Sequence, residues 1–147
     1  SFRAPADGGY VAIYIGDPDA ESSAPLIAAV QAVFDAANGH VAGLEYVVFG
    51  CEREELTFTI DAKVTAGSGI TEDQLKQNLI DYLNSAGIAR TVYLSAAEAY
   101  AHAQIGPNLL SIDIAHSGAH EVTPTQPYMA IRTADDGSQL TVDITEV

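Results

Sequence analysis

The sequence predicts an α+β chain: a ferredoxin-like β-α-β unit over residues 1–54, then a β-α-α-β-β-β domain over residues 55–147, with helices packed on a mixed sheet. Three observations carry this. Two short β-branched and aromatic runs flank an apolar stripe of helical spacing in the first 54 residues. A longer stretch, Leu56 to Val64, alternates strictly between apolar and polar side chains. Two capping-box patterns, at Thr71/Gln74 and Ser95/Glu98, each open a helical segment. Hydrophobic residues make up 48% of the chain and charged residues 18%, which supplies enough apolar surface for a core and argues against disorder.

Tyr10 to Ile15 (YVAIYI) reads as a buried strand, closed by Gly16, Asp17 and Pro18. Ser22 and Ser23 precede Pro25, an N-cap followed by proline in the first turn. Leu26, Ile27, Val30, Val33 and Phe34 then recur at helical spacing, and Asn38-Gly39 is the stop. Leu44 to Phe49 (LEYVVF) is the second strand. Strand, helix and strand within so short a stretch predict a parallel pair with a right-handed crossover. In the alternating segment, Leu56, Phe58, Ile60, Ala62 and Val64 face one way and Thr57, Thr59, Asp61 and Lys63 the other. After Gly67-Ser68-Gly69, the next helix buries Leu75, Leu79, Ile80 and Leu83 and ends at Gly87. An alanine-rich helix follows from Ser95 and stops at Gly106-Pro107. Leu109 to Ala115 alternates as a strand. Tyr128 to Thr133 and Leu140 to Thr145 flank Ala134-Asp135-Asp136-Gly137-Ser138, the pattern of a hairpin.

Twenty acids against six bases give a formal charge of −14, which repels a phosphate backbone and an anionic membrane surface. Nucleic acid and membrane are therefore not expected as partners, and no apolar run is long enough to span a bilayer. The segment SFRAPADGGY has neither a basic n-region nor an apolar h-region, so no signal peptide is expected. The single cysteine, Cys51, cannot form an internal disulfide, in keeping with a reducing compartment or a particle assembled inside a cell.

No constellation reads as a catalyst. Asp17, Asp19 and Glu21 alternate as at the start of a calcium loop, but Ser22 stands where the loop needs glycine and the distal Glu is absent. They read as a solvated turn before a helix. His116 and His120 are four apart on a loop rather than a helix, with only Glu121 close in sequence, so they read as a polar loop and not a metal pair. His40 suits a helix C-terminus, and His102 reads as a surface or partly packed position. Glu52, Glu54 and Glu55 beside Cys51 disfavour a thiolate, the reverse of what a nucleophile needs. Gly67-Ser68-Gly69 lacks the spacing of a nucleophile elbow, and no phosphate-binding loop or dinucleotide fingerprint is present. The expectation is no enzyme, no catalytic, cofactor-binding or metal residues, and no cofactor.

The order of these segments resembles a known family. GYVAIYIGDPDAESSAPLIAAVQAVFD (Gly9 to Asp35) looks like the valine-rich strand, turn and "LIxAVQ" helix of the baseplate J-like proteins. NGHVAGLEYVVFGCEREELTFTIDAKVTAGSGIT (Asn38 to Thr71) is similar to the loop, strand, turn and long alternating strand that follow there. ITEDQLKQNLIDYLNSAGI and TVYLSAAEAYAHAQIGPNLLSIDI resemble the next helix, the short strand entering a second helix, and the strand after a "GV"-like turn, with Ile105-Gly106 in that place. The resemblance spans about residues 9–115 and corresponds to the family's C-terminal half. NGHVAG replaces the family's "RPxG" turn, and the family's upstream half has no counterpart here. With no initiator Met, the chain fits a fragment or a processed product.

The resemblance implies a structural component of a contractile-tail baseplate, in the wedge or inner ring of a phage or a phage-like injection apparatus. It implies a virion location, assembly in the bacterial host cytoplasm, and other baseplate wedge and tail proteins as partners. A lone β-α-β unit cannot cover both faces of a parallel pair, so the first unit is expected to expose a sheet edge and an apolar face or to pair them with a sister subunit, giving a homo-oligomer, a dimer. The alternative function is an ACT-like small-molecule-binding regulatory domain, with Gly16 to Ser23 as the binding turn. A metal-dependent hydrolase built on Asp17, Asp19, His116 and His120 is the third reading.

Overall fold

The computed structural model describes residues 10–16, 24–36 and 45–147. The chain is α+β and divides into two compact units, Ser1–Glu52 and Arg53–Val147.

In the first unit, β1 (Tyr10–Ile15) pairs in parallel with β2 (Glu45–Gly50), from Tyr10 opposite Glu45 to Ile15 opposite Gly50. Helix α1 (Ala24–Ala36) lies against β2 through a Phe34–Tyr46 ring stack at 5.5 Å. The Gln31 amide bridges two backbone groups of β2: its Nε2 donates to Tyr46 O at 2.8 Å and its Oε1 accepts from Val48 N at 2.8 Å. A neighbouring strand would offer the same donor and acceptor, so the side chain takes the place of an added strand at this edge. Val47, Val48 and Cys51 are buried, whereas α1 buries none of its residues. Ser22, Ser23, Asn38 and Gly39, the expected boundaries of this helix, lie outside the described residues.

The second unit is built on a three-stranded mixed sheet of order β6-β4-β9. Its central strand, β4 (Phe58–Val64), buries every second residue, namely Phe58, Ile60, Ala62 and Val64. This strand is shorter than the alternation suggests, because Leu56 and Thr57 form a break after a separate strand, β3 (Glu52–Glu55). Two helices cover the apolar face. Helix α2 (Glu72–Asn84) starts at a capping box in which Gln74 N donates to Thr71 Oγ1 and Thr71 N to Gln74 Oε1. It buries Leu75, Leu79, Ile80 and Leu83, the stripe read from the sequence. It ends at Ser85 rather than Gly87, since the Ser85 hydroxyl and amide both donate to Tyr82 O and close the last turn early.

Helix α3 (Leu94–Ile105) follows directly on the short strand β5 (Val92–Tyr93). The Ser95/Glu98 capping box is not formed. Tyr93 occupies the cap position with no side-chain bond, and Ser95 falls inside the first turn. Val92 and Leu94 are both buried, which draws the helix start two residues earlier, and Leu94 N donates to His120 O. Gly106 ends α3 at φ +93, a conformation open to glycine and strained for other residues. Strand β6 (Leu109–Ala115) runs antiparallel to β4 at one edge of the sheet, and β7 (Glu121–Val122) pairs antiparallel with β5.

The expected C-terminal hairpin is not present. Strand β8 (Met129–Arg132) pairs with β3, whereas β9 (Leu140–Glu146) runs parallel to β4. Burial explains the split. In β8, Ala130, Ile131 and Arg132 are buried in succession, so this run lacks the wet face of an alternating hairpin strand. The Arg132 side chain is wholly buried and donates to Ile131 O, Ala86 O and Asn84 O, tying β8 to the C-terminal end of α2. The turn residue Gly137 still takes positive φ, +74, but it lies against the Lys76 side chain on α2. The connection thus crosses the helix before β9 begins, and Leu140, Val142 and Ile144 join the core around Ile60 and Ala62.

Candidate functional site

The histidines of the loop after β6 take different partners. His116 N donates to Ala119 O and Ala119 N to His116 O, closing a tight turn over Ser117 and Gly118. Both turn residues have positive φ, +48 and +80, as a type I′ hairpin turn requires. The His116 ring packs 5.6 Å from the Phe58 ring, with Nδ1 at 2.7 Å from Thr57 O. The turn brings His120 back beside β6, where its Nδ1 lies 3.2 Å from Ile114 O and 3.8 Å from Asp113 Oδ1.

Glu98 on α3 completes this neighbourhood by accepting from Ile114 N through Oε1 at 2.9 Å. Ligand atoms of Glu98, Asp113 and His120 all lie within 4.8 Å of one another. Ile114 sits on an edge strand, and its amide and carbonyl are both met by side chains, Glu98 and His120, that stand in for a further strand. Gln31 does the same for β2.

Asp113 also belongs to a carboxylate row on the open face of the sheet. Asp61 is directly opposite Asp113 on one side and Asp143 on the other. Lys63, Ser111 and Thr145 line the same shallow cleft. Like charges placed directly opposite across strands destabilise a sheet. This face is therefore built for solvent or a cation, not for an anionic ligand.

The sequence holds few cues to this grouping. Glu98 looks like a capping residue and Asp113 like the wet position of an alternating strand. Only the two-residue turn at Ser117-Gly118, which folds His120 back onto β6, brings the three together. Asp17, Asp19, Glu21 and His40 lie outside the described residues, as does most of the Gly16 to Ser23 turn. His102 is exposed on α3, and Cys51 is buried outside any disulfide, with Sγ at 3.8 Å from Glu52 O.

Among the described residues of the first unit, large apolar side chains are exposed. Leu26 and Val33 on α1 are 48% and 68% exposed, and Val11 on β1 is exposed too. A cleft of about 300 Å³ between α1 and β2 is lined by Ala24, Ile27, Ala28, Gln31, Val47 and Phe49. No helix among the described residues is long and apolar enough to cross a membrane. Neither a protein-family model nor a curated protein matches the chain.

Proposed function

We propose that this protein is a structural component of a contractile-tail baseplate, working by protein–protein assembly and not by catalysis. Its partners are copies of itself, as a homo-oligomer and in the simplest case a dimer, and neighbouring wedge and tail proteins of a virion or phage-like injection apparatus. One observation supports the assembly reading above the others. Helix α1, APLIAAVQAVFDA, is apolar on nearly every side yet buries no residue, and Val33 is 68% exposed. A helix that is apolar all round belongs in an interior, so a partner surface is the natural cover for this one. The baseplate identity rests on the order and texture of segments over about residues 9–115.

Sedimentation velocity across the micromolar range tests the assembly reading. Self-association that is abolished by Leu26→Asp with Val33→Asp supports it; a strict monomer at every concentration, unchanged by these substitutions, sinks it. Co-expression with the products of adjacent genes tests the baseplate identity separately. Stable complexes with sheath, tube or spike proteins support it, and neighbours of unrelated kind overturn it. A thermal-shift screen against amino acids and nucleotides addresses the ACT-like alternative, since a specific ligand at 100 times its dissociation constant adds about 2.7 kcal/mol.

A further inference from the structure

We propose that Glu98, Asp113 and His120 form a site for a divalent transition-metal ion of the zinc type, each side chain giving one ligand atom and water completing the shell. The inference does not rest on the assembly reading. Their ligand atoms, already within 4.8 Å, need to close to about 3.4 Å, the separation set by metal–ligand bonds of about 2.1 Å in tetrahedral geometry. Small side-chain rotations supply that closure, because the Asp113 and His120 side chains are 61% and 60% exposed. Their backbones are fixed by different elements: α3 carries Glu98, β6 carries Asp113, and the Ser117-Gly118 turn places His120.

Three features favour a metal ion over a plain hydrogen-bond cluster. Oxygens of Glu98, Asp113 and Ile114 gather around the His120 ring nitrogen, with Ile114 O at 3.2 Å and Asp113 Oδ1 at 3.8 Å. A single proton on Nδ1 serves one of these acceptors well, whereas a metal ion bonds several ligands at once. The Ile114 amide holds Glu98 through Oε1 and leaves its second oxygen to coordinate, the kind of outer contact that orients metal-binding carboxylates. Asp61, in register beside Asp113, and the chain's charge of −14 add long-range attraction for a cation. The imidazole nitrogen selects zinc-like ions over calcium and magnesium, which take oxygen shells. A bound ion would tie α3, β6 and the connection to β7 together.

Titration calorimetry on the full chain with zinc chloride, and in parallel with calcium and magnesium chloride, tests the site. The expected result is one saturable zinc site without a matching calcium or magnesium response. His120→Ala and Asp113→Asn should each weaken binding at least about tenfold, while His102→Ala leaves it unchanged. Absence of saturable zinc binding overturns the proposal, as does equal loss on His116→Ala or His102→Ala, which signifies non-specific chelation by surface histidines. The wild-type protein gives a second readout that needs no variant. Zinc should move the His120 Cε1–H resonance and the Asp113 amide; movement at His102 or His116 instead overturns the assignment.

Discussion

Helices α1 and α2 are each 13 residues long, and they bury opposite shares of themselves. In α2 only one stripe is apolar, and all four of its members, Leu75, Leu79, Ile80 and Leu83, are buried against the sheet and α3. In α1 apolar residues run nearly all round, and none is buried. The difference lies in what each helix has to pack on. The second unit offers a three-stranded sheet with a second helix beside it; the described residues of the first offer two strands. Two strands and one helix have too little surface to remove each other's apolar faces from water, and an isolated two-stranded sheet is marginal by itself. Burial in α2 thus stabilises a fold, whereas the apolar surface of α1 remains available for association.

Truncation of a core side chain gives the largest contrast. Leu79→Ala removes a buried side chain from the stripe of α2 and should cost the second unit about 2–5 kcal/mol. Val33→Ala, at a position 68% exposed, should stay within about 0.5 kcal/mol in the same denaturant titration. If Val33→Ala destabilised the monomer as much as Leu79→Ala, α1 would have to be packed in a way that contradicts its exposure.

How far the sequence foretold this contrast depends on the range of the forces involved. The α2 stripe, the Thr71/Gln74 cap, the parallel β1–β2 pair and the alternation from Phe58 to Val64 are local or periodic features, and each is formed. The failures are decisions between distant partners. Tyr128 to Thr133 and Leu140 to Thr145 look like a hairpin because they are adjacent and flank Gly137. Yet the buried Arg132 commits the first run to the end of α2, and the apolar side of the second finds β4. Similarly, Glu98 has the spacing of a cap residue, but its carboxylate goes to Ile114 N, sixteen positions away. No periodicity encodes such a choice. The short strands β3 and β7 carry no periodic signal for a related reason: a two- or four-residue strand has too few residues for an alternation to show. The equally short β5 is legible only through the family resemblance, which places a short strand at the entry to the second helix.

Gln31 sharpens the comparison at the level of a single side chain. Its two hydrogen bonds to β2 stand in for a strand at this edge. Gln31→Ala removes both and leaves the exposed strand rim to water or to another chain, at a cost of about 1–2 kcal/mol. Hydrogen exchange should accelerate at Val48, whose amide is released, more than at Val47. Self-association through the freed rim should rise at the same time. Unchanged protection at Val48 would mean that something other than Gln31 satisfies this edge.

The smallest effect concerns a turn in the second unit. Asp136 has its carboxyl held below the usual aspartate range by the Ser138 hydroxyl and then by the Ser138 amide, which donates to Oδ1 at 2.9 Å. A carboxyl whose pKa is depressed on folding favours the native state above its ordinary titration point. That contribution fades as the pH falls from there through the lower folded-state value, because the unfolded chain takes up the proton first. An NMR titration of the side-chain carboxyl should therefore show a midpoint below the ordinary aspartate value of about 3.9. Asp136→Asn keeps an oxygen for the Ser138 amide but cannot ionise, so its stability should converge on that of the wild type in strong acid and differ slightly at neutral pH. Ser138→Ala, which removes the hydroxyl and spares the amide, should return part of the midpoint. Because this carboxyl is fully solvated, screening keeps the whole effect small, and added salt should reduce it further.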